Sequence, residues 1–186
     1  MQHTKTQKLT LIALMAAVIC ILGPLSIAIP ISPVPISFTN LAIYLAVMIL
    51  GWKWGTLSYL VYLMVGFVGL PVFSAFTAGP GRLLGPTGGY LVGYLLLAFI
   101  GGMFIEKSKG NPVVSAVGLV LGDAACYVLG TAWFVFQMQC ELGYALSVCV
   151  YPFIALDLAK IVVSCIVGAL LRKRLVQAGV LKLKEA

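Results

Sequence analysis

Three charged residues, Asp123, Asp157 and Lys160, fall inside long apolar stretches of the sequence. Burying a charge among apolar groups is costly, so each is a candidate for function before anything else. Asp157 and Lys160 are three residues apart. On a helix that spacing sets them on one face, one above the other. They can pair with each other and with a third polar group. A self-neutralising ion pair is the plainer role, but desolvation offsets much of the attraction in such a pair. A polar solute received there would give the pair a purpose. Asp123 keeps two readings open, a hydrogen bond between helices or a contact to that solute. Gly118 and Gly122 on the same segment form a GxxxG, a face for close helix packing.

Arg82 lies in a glycine- and proline-rich stretch, Gly79-Pro80-Gly81-Arg82-Leu83-Leu84-Gly85-Pro86-Thr87-Gly88-Gly89-Tyr90. It lacks the Gly-Lys-Ser/Thr of a phosphate-binding loop, so that motif gives this chain no nucleotide site. A folded loop whose end, Thr87 to Tyr90, starts a helix is the better reading. Amides at a helix start can receive a carboxylate, and an arginine can clamp one with two parallel bonds. The plainer role for Arg82 is reaching to lipid headgroups.

No catalytic constellation is present: no Ser/His/Asp set and no recognisable motif around Asp123 and Asp157. The five cysteines, Cys20, Cys126, Cys140, Cys149 and Cys165, form no CxxC pair, and the single histidine is His3. That pattern speaks against a zinc site. The expectation is a binding protein, neither an enzyme nor a holder of a cofactor.

The elements that must position these residues are membrane helices. Of 186 residues, 62% are apolar and 9% charged, against roughly 25% charged in an ordinary soluble domain. A chain this short could not hide so much apolar surface in water. The alternation of a membrane β-barrel is absent. Six spans are predicted, at about 9–27, 38–50, 55–72, 90–105, 112–136 and 146–171, in a single all-α integral membrane domain. The first run has no small-x-small cleavage site and is read as a mature helix. The proline-rich stretch 29–37 cannot be helical, since each proline removes a donor and restricts its predecessor.

The net charge of +7 is topology information more than a sign of nucleic acid. With a cytoplasmic N-terminus, six spans put Lys5, Lys8, Lys53, Lys107, Lys109, Arg172, Lys173, Arg174, Lys182 and Lys184 on one side, leaving only Arg82 and Lys160. Both termini are therefore expected in the cytoplasm, in a multi-pass protein of the cytoplasmic membrane. The loops at 29–37 and 78–89 then face outward. On the first helix, Ala13 and Ala17 make a small-xxx-small stripe that lets another helix approach closely.

Four features together resemble one family: Leu84-Gly85-Pro86-Thr87-Gly88-Gly89-Tyr90-Leu91-Val92-Gly93-Tyr94, Asp157-Leu158-Ala159-Lys160, the prolines of 30–35, and Ala13 with Ala17. Over essentially its whole length the chain resembles the biotin-binding S-component of energy-coupling-factor transporters, the BioY family. The resemblance implies a six-helix bundle with a biotin pocket near the outer face, covered by the loop after the first helix. It also implies that Ala13 and Ala17 face a transmembrane coupling protein. Transport would then proceed by toppling in the bilayer, driven by two ATPase subunits in trans. Biotin's ureido ring has two N–H donors and one carbonyl, on an apolar bicycle with a valerate tail. Asp157 is a candidate for the N–H groups, and Lys160 and Arg82 for the carbonyl and the carboxylate. Thr87 and Tyr90 belong to the same site, with Phe73, Asp123 and Tyr151 as additional candidates. Two other readings remain: an S-component for another vitamin, and a membrane protein with an enzymatic or structural role.

Overall fold

The structure is a computed structural model that describes residues 5–30, 32, 34–108 and 111–180. His3, Pro33, Lys109, Lys182 and Lys184, used above, lie outside the described residues. Helix α1 (Lys5–Leu22) stops where Gly23 and Pro24 cannot continue it, five residues short of the expected end. Strands β1 (Ser26–Ile27) and β2 (Ile36–Ser37) then pair antiparallel, Ser26 with Ser37 and Ile27 with Ile36. They turn the proline-rich loop into a small hairpin over one end of the bundle.

Helix α2 (Thr39–Val68) carries two of the expected spans in one element. At Gly51 the backbone takes φ 79 and ψ −179, a conformation that only glycine adopts without strain. The chain folds back there. A Cβ on Gly55 would come within 2.9 Å of the Val47 Cα, whereas eight residues along a straight helix span about 12 Å. Halves 39–50 and 52–68 are thus antiparallel neighbours.

A 3₁₀ turn (Ser74–Phe76) and the short helix α3 (Pro80–Leu84) lead into α4 (Gly88–Lys107) and α5 (Pro112–Met138). These two helices pack closely because the GxxxG of α5 faces α4. A Cβ on Gly122 would stand 2.9 Å from the Leu97 carbonyl oxygen, and one on Gly118 would run into Phe104. Helix α6 (Leu142–Cys149) precedes α7 (Tyr151–Gln177). The sixth span was expected to begin near residue 146, but the helical run breaks at Val150, whose φ and ψ are −122 and −59, and restarts with Pro152 in its first turn.

Four stretches are long and apolar enough to cross a membrane: Thr39–Val68, Gly88–Lys107, Pro112–Met138 and Leu142–Gln177. With α1 as a shorter apolar helix, and with α2 folded at Gly51, the bundle has six passes. Large apolar side chains cover its outside, Val128 and Ile166 among them, while Asp123 and Asp157 are buried. That distribution suits lipid as the solvent. Lys8 and Lys53 both approach the Trp54 ring, and Glu106 lies beside Gly51. Lys8, Lys53 and Lys107 therefore gather at the Gly51 end of the bundle. Arg82 and the hairpin lie at the other end. All five cysteines are free.

Candidate functional site

Two polar regions meet beneath the β1–β2 hairpin. The deeper one is built from three helices, each contributing two side chains one turn apart: Asn40 and Tyr44 from α2, Asp123 and Tyr127 from α5, Asp157 and Lys160 from α7. Lys160 and Asp157 form the expected ion pair, Nζ to Oδ1, at 3.0 Å. The same Oδ1 accepts from Asn40 Nδ2 at 2.7 Å, and Oδ2 accepts from the Tyr127 hydroxyl. Lys160 also donates to Asn40 Oδ1 at 3.0 Å and to the Ser37 carbonyl at 2.8 Å. Asn40 reaches toward the Tyr44 hydroxyl at 3.4 Å, and that hydroxyl donates to Asp123 Oδ2 at 2.5 Å. Asp123 is thereby wired to Asp157. Both acids also border a cleft between α5 and α7, whose other walls include Val120, Ile154 and Leu158.

The shallower region is a cavity of about 40 Å³ directly under the hairpin. Val34, Pro35 and Ser37 roof it, Phe73, Ser74 and Arg82 close one side, and Thr87, Tyr90, Leu91 and Tyr94 of the α4 start form the floor. Such a volume holds a few waters. Phe73 is fully buried and stands edge-on to Tyr62, with ring centroids 5.6 Å apart. Its ring also occupies the space a Cβ on Gly66 would need. The Tyr90 hydroxyl is bonded to Thr131 Oγ1 at 3.0 Å, so its ring, more than its hydroxyl, faces the cavity. Trp133 and Gln137 of α5 donate to the carbonyls of Gly85 and Leu84 and hold the turn that carries Thr87.

Arg82 and Thr87 differ from these. Arg82 is half-buried, and no carboxylate among the described residues pairs with it. Burial lowers its pKa from the ordinary value, while the nearby Tyr62 hydroxyl acts in the opposite direction. Thr87 occupies the N-cap of α4, yet its hydroxyl caps no amide. Thr87 Oγ1 is buried without any hydrogen-bond partner.

The hairpin is fastened at two points. The Ser37 carbonyl accepts from Lys160, and the Ala75 amide donates to the Pro24 carbonyl at 3.1 Å and to Ser26 Oγ at 3.0 Å. Ala75 and Phe76 hold φ of 59 and 56, left-handed values that side chains rarely adopt.

The structure thus brings Arg82, Thr87, Tyr90 and Phe73 together around the cavity and Asp157, Lys160 and Asp123 in the network behind it, with Ser37 shared. Tyr151 stands 64% exposed at the start of α7 and lines neither cavity nor cleft. Ala13 and Ala17 are exposed on α1, on a face they share with Leu14 and Ile21. Sequence reasoning passed over Asn40, Tyr44, Tyr127 and Ser37. A signal for the first three did exist: Asn40/Tyr44 and Asp123/Tyr127 have the four-residue spacing that shares a helix face.

A family model described as the BioY family matches residues 1–177. A biotin transporter of Lactococcus lactis is 36% identical over 173 residues, 92% of this chain and 94% of the relative. A biotin transporter of Thermotoga maritima is 39% identical over 147 residues, 79% and 86% of the two chains. A crystal structure of the S-component for biotin from an ECF-type ABC transporter superposes with a TM-score of 0.84 at 33% identity, covering 93% of this chain and 94% of that one.

Proposed function

The chain belongs to the BioY family, and from that premise we propose that it captures biotin at the outer face of the cytoplasmic membrane for uptake. The observation that carries this reading is the cavity under the hairpin, mostly apolar and aromatic, with two polar side chains left unpaired beside it, Arg82 and Thr87. Ligand sites combine such walls with a few fixed polar groups. Arg82 is suited to clamp the valerate carboxylate. Thr87 supplies a hydroxyl to the same end, and Phe73, Tyr90 and Tyr94 offer faces to the apolar bicycle.

The ureido ring belongs at the network end. Asp157 accepts its N–H groups and Lys160 donates to its carbonyl. Both side chains are engaged within the protein when the hairpin is down, and the cavity is water-sized. Entry of biotin therefore requires the hairpin to lift. Lifting it breaks the Lys160 bond to Ser37 and frees one ammonium proton for the ligand.

Biotin is the cargo and no cofactor takes part. Energy comes from partners in trans, a transmembrane coupling protein and two ATPase subunits. The exposed Ala13 and Ala17 give α1 a flat face for the coupling protein. Ala13→Trp with Ala17→Trp should leave biotin binding intact and abolish energised uptake. Uptake undiminished by the two tryptophans moves the docking face elsewhere.

The decisive experiment is equilibrium binding of biotin to the purified chain in detergent, after removal of co-purified ligand, with thiamine and riboflavin alongside. Tight and selective biotin binding is expected. Selective binding of another vitamin reassigns the cargo, and folded protein that binds none of them defeats the capture role.

A further inference from the structure

Asn40 sits where one amide can hold two charged side chains. Its Nδ2 donates to Asp157 Oδ1 at 2.7 Å and its Oδ1 accepts from Lys160 Nζ at 3.0 Å, closing a triangle with the 3.0 Å ion pair. The amide has one workable orientation. Reversed, its NH₂ would face the Lys160 ammonium, and its oxygen would face the carboxylate. The Leu41 amide, donating to Oδ1 at 3.0 Å, favours the same orientation. From the other side Tyr127 donates to Asp157 Oδ2 and stops the carboxylate from turning about its Cβ–Cγ bond.

We infer that Asn40 and Tyr127 are positioning residues that set selectivity for the ureido ring, by fixing Asp157 and Lys160 from behind. The inference rests on the biotin reading above. Asn40 is 3% exposed with its amide engaged by Asp157 and Lys160, and Tyr127, which borders the α5–α7 cleft beside Asp157, gives its hydroxyl to that carboxylate, so both act on the ligand through the ion pair. Lys160 spends its three protons on Ser37, Asn40 and Asp157. Only the bond to Ser37 can be exchanged without opening the triangle. The lysine therefore offers one proton in one direction, beside a carboxylate whose rotation is fixed. That pairing of a donor with adjacent acceptor oxygens matches a carbonyl flanked by N–H groups. A guanidine in place of the urea has no carbonyl to receive the proton.

The test compares three ligands on the full chain in detergent: biotin, 2-iminobiotin, in which nitrogen replaces the ureido oxygen, and biotinamide, in which the carboxylate is lost. Asn40→Ala and Tyr127→Phe should each weaken biotin by about ten- to a hundredfold, the range for losing a hydrogen bond to a charged group. The preference for biotin over 2-iminobiotin should shrink by a similar factor. The preference for biotin over biotinamide should stay at its wild-type value. Equal weakening of all three ligands makes the two residues merely structural and overturns the inference, as does wild-type affinity in both variants. Should Asn40→Ala fail to fold, Tyr127→Phe decides alone, since it removes one oxygen and keeps the ring. Absence of biotin binding by the unsubstituted chain is a different failure. It overturns the biotin reading itself, and the inference with it.

Discussion

The buried network and the outer cavity share Ser37 yet treat their polar groups in opposite ways. In the network Asp157 receives three donors and Lys160 finds three acceptors. Around the cavity Arg82 has no carboxylate and Thr87 Oγ1 has no partner. Folding alone completes the first set. The second is completed only by something that enters. A charge that is fully engaged in the empty protein chiefly holds the architecture and yields one bond at a time. A polar group left unpaired beside a cavity is held ready for a ligand. The unpaired groups of the cavity can therefore be removed with little loss of stability, whereas the network carries stability and the ureido contacts together.

The largest effect on stability is expected from the network. Lys160→Met leaves the Asp157 carboxylate without its counter-charge inside the bundle, which should cost about 3–5 kcal/mol. Chemical or thermal unfolding in detergent measures it. Adding Asp157→Asn to that variant should recover part of the loss, because the stranded charge disappears. Equal stability of Lys160→Met and the unsubstituted chain would show that the pair holds nothing.

Arg82→Gln tests the other side of the comparison. Without an ion pair to break, it should change stability by no more than about 0.5 kcal/mol. Biotin affinity should fall roughly tenfold or more, as a charged hydrogen bond is lost. Biotinamide, which lacks the carboxylate, should bind the variant and the parent alike. An Arg82→Gln chain that unfolds as readily as Lys160→Met would erase the distinction between the regions.

How legible these regions were in the sequence follows from what each residue costs to bury. Asp157 and Lys160 stood out because a charge among apolar residues demands a reason. Asn40, Tyr44 and Tyr127 did not, since amides and phenols are cheaper to bury and carry no such alarm. The span count was legible from gaps in the apolar pattern, and the gap expected at 51–54 holds the turn at Gly51 between the two antiparallel halves of α2. The break between α6 and α7 was hidden, because both sides of Val150 are equally apolar. Tyr151, a candidate for the apolar wall, lies on another face of α7. Six residues before Asp157 places it about 120° round the helix from that acid, and it stands outside the bundle. The hairpin bonds of Ser37 and Ala75 are tertiary and use backbone atoms, which no side-chain pattern announces.

The smallest expected effect discriminates most sharply. Thr87 sits at an N-cap, where threonine ordinarily accepts a bond from the first turn, and it makes none. Thr87→Val therefore loses no cap. It removes a buried hydroxyl that has no partner, and such a group costs the folded state about 1–3 kcal/mol. Unfolding in detergent should show the valine variant as stable as the parent or more so. Biotin binding should move the other way, weakening by about 0.5–1.5 kcal/mol as one neutral hydrogen bond is lost. Opposite signs in one protein are the signature of a group kept unsatisfied for a ligand. Loss of both stability and affinity would make Thr87 part of the scaffold. Gain of stability with unchanged affinity would leave Arg82 as the one unspent polar group that biotin uses.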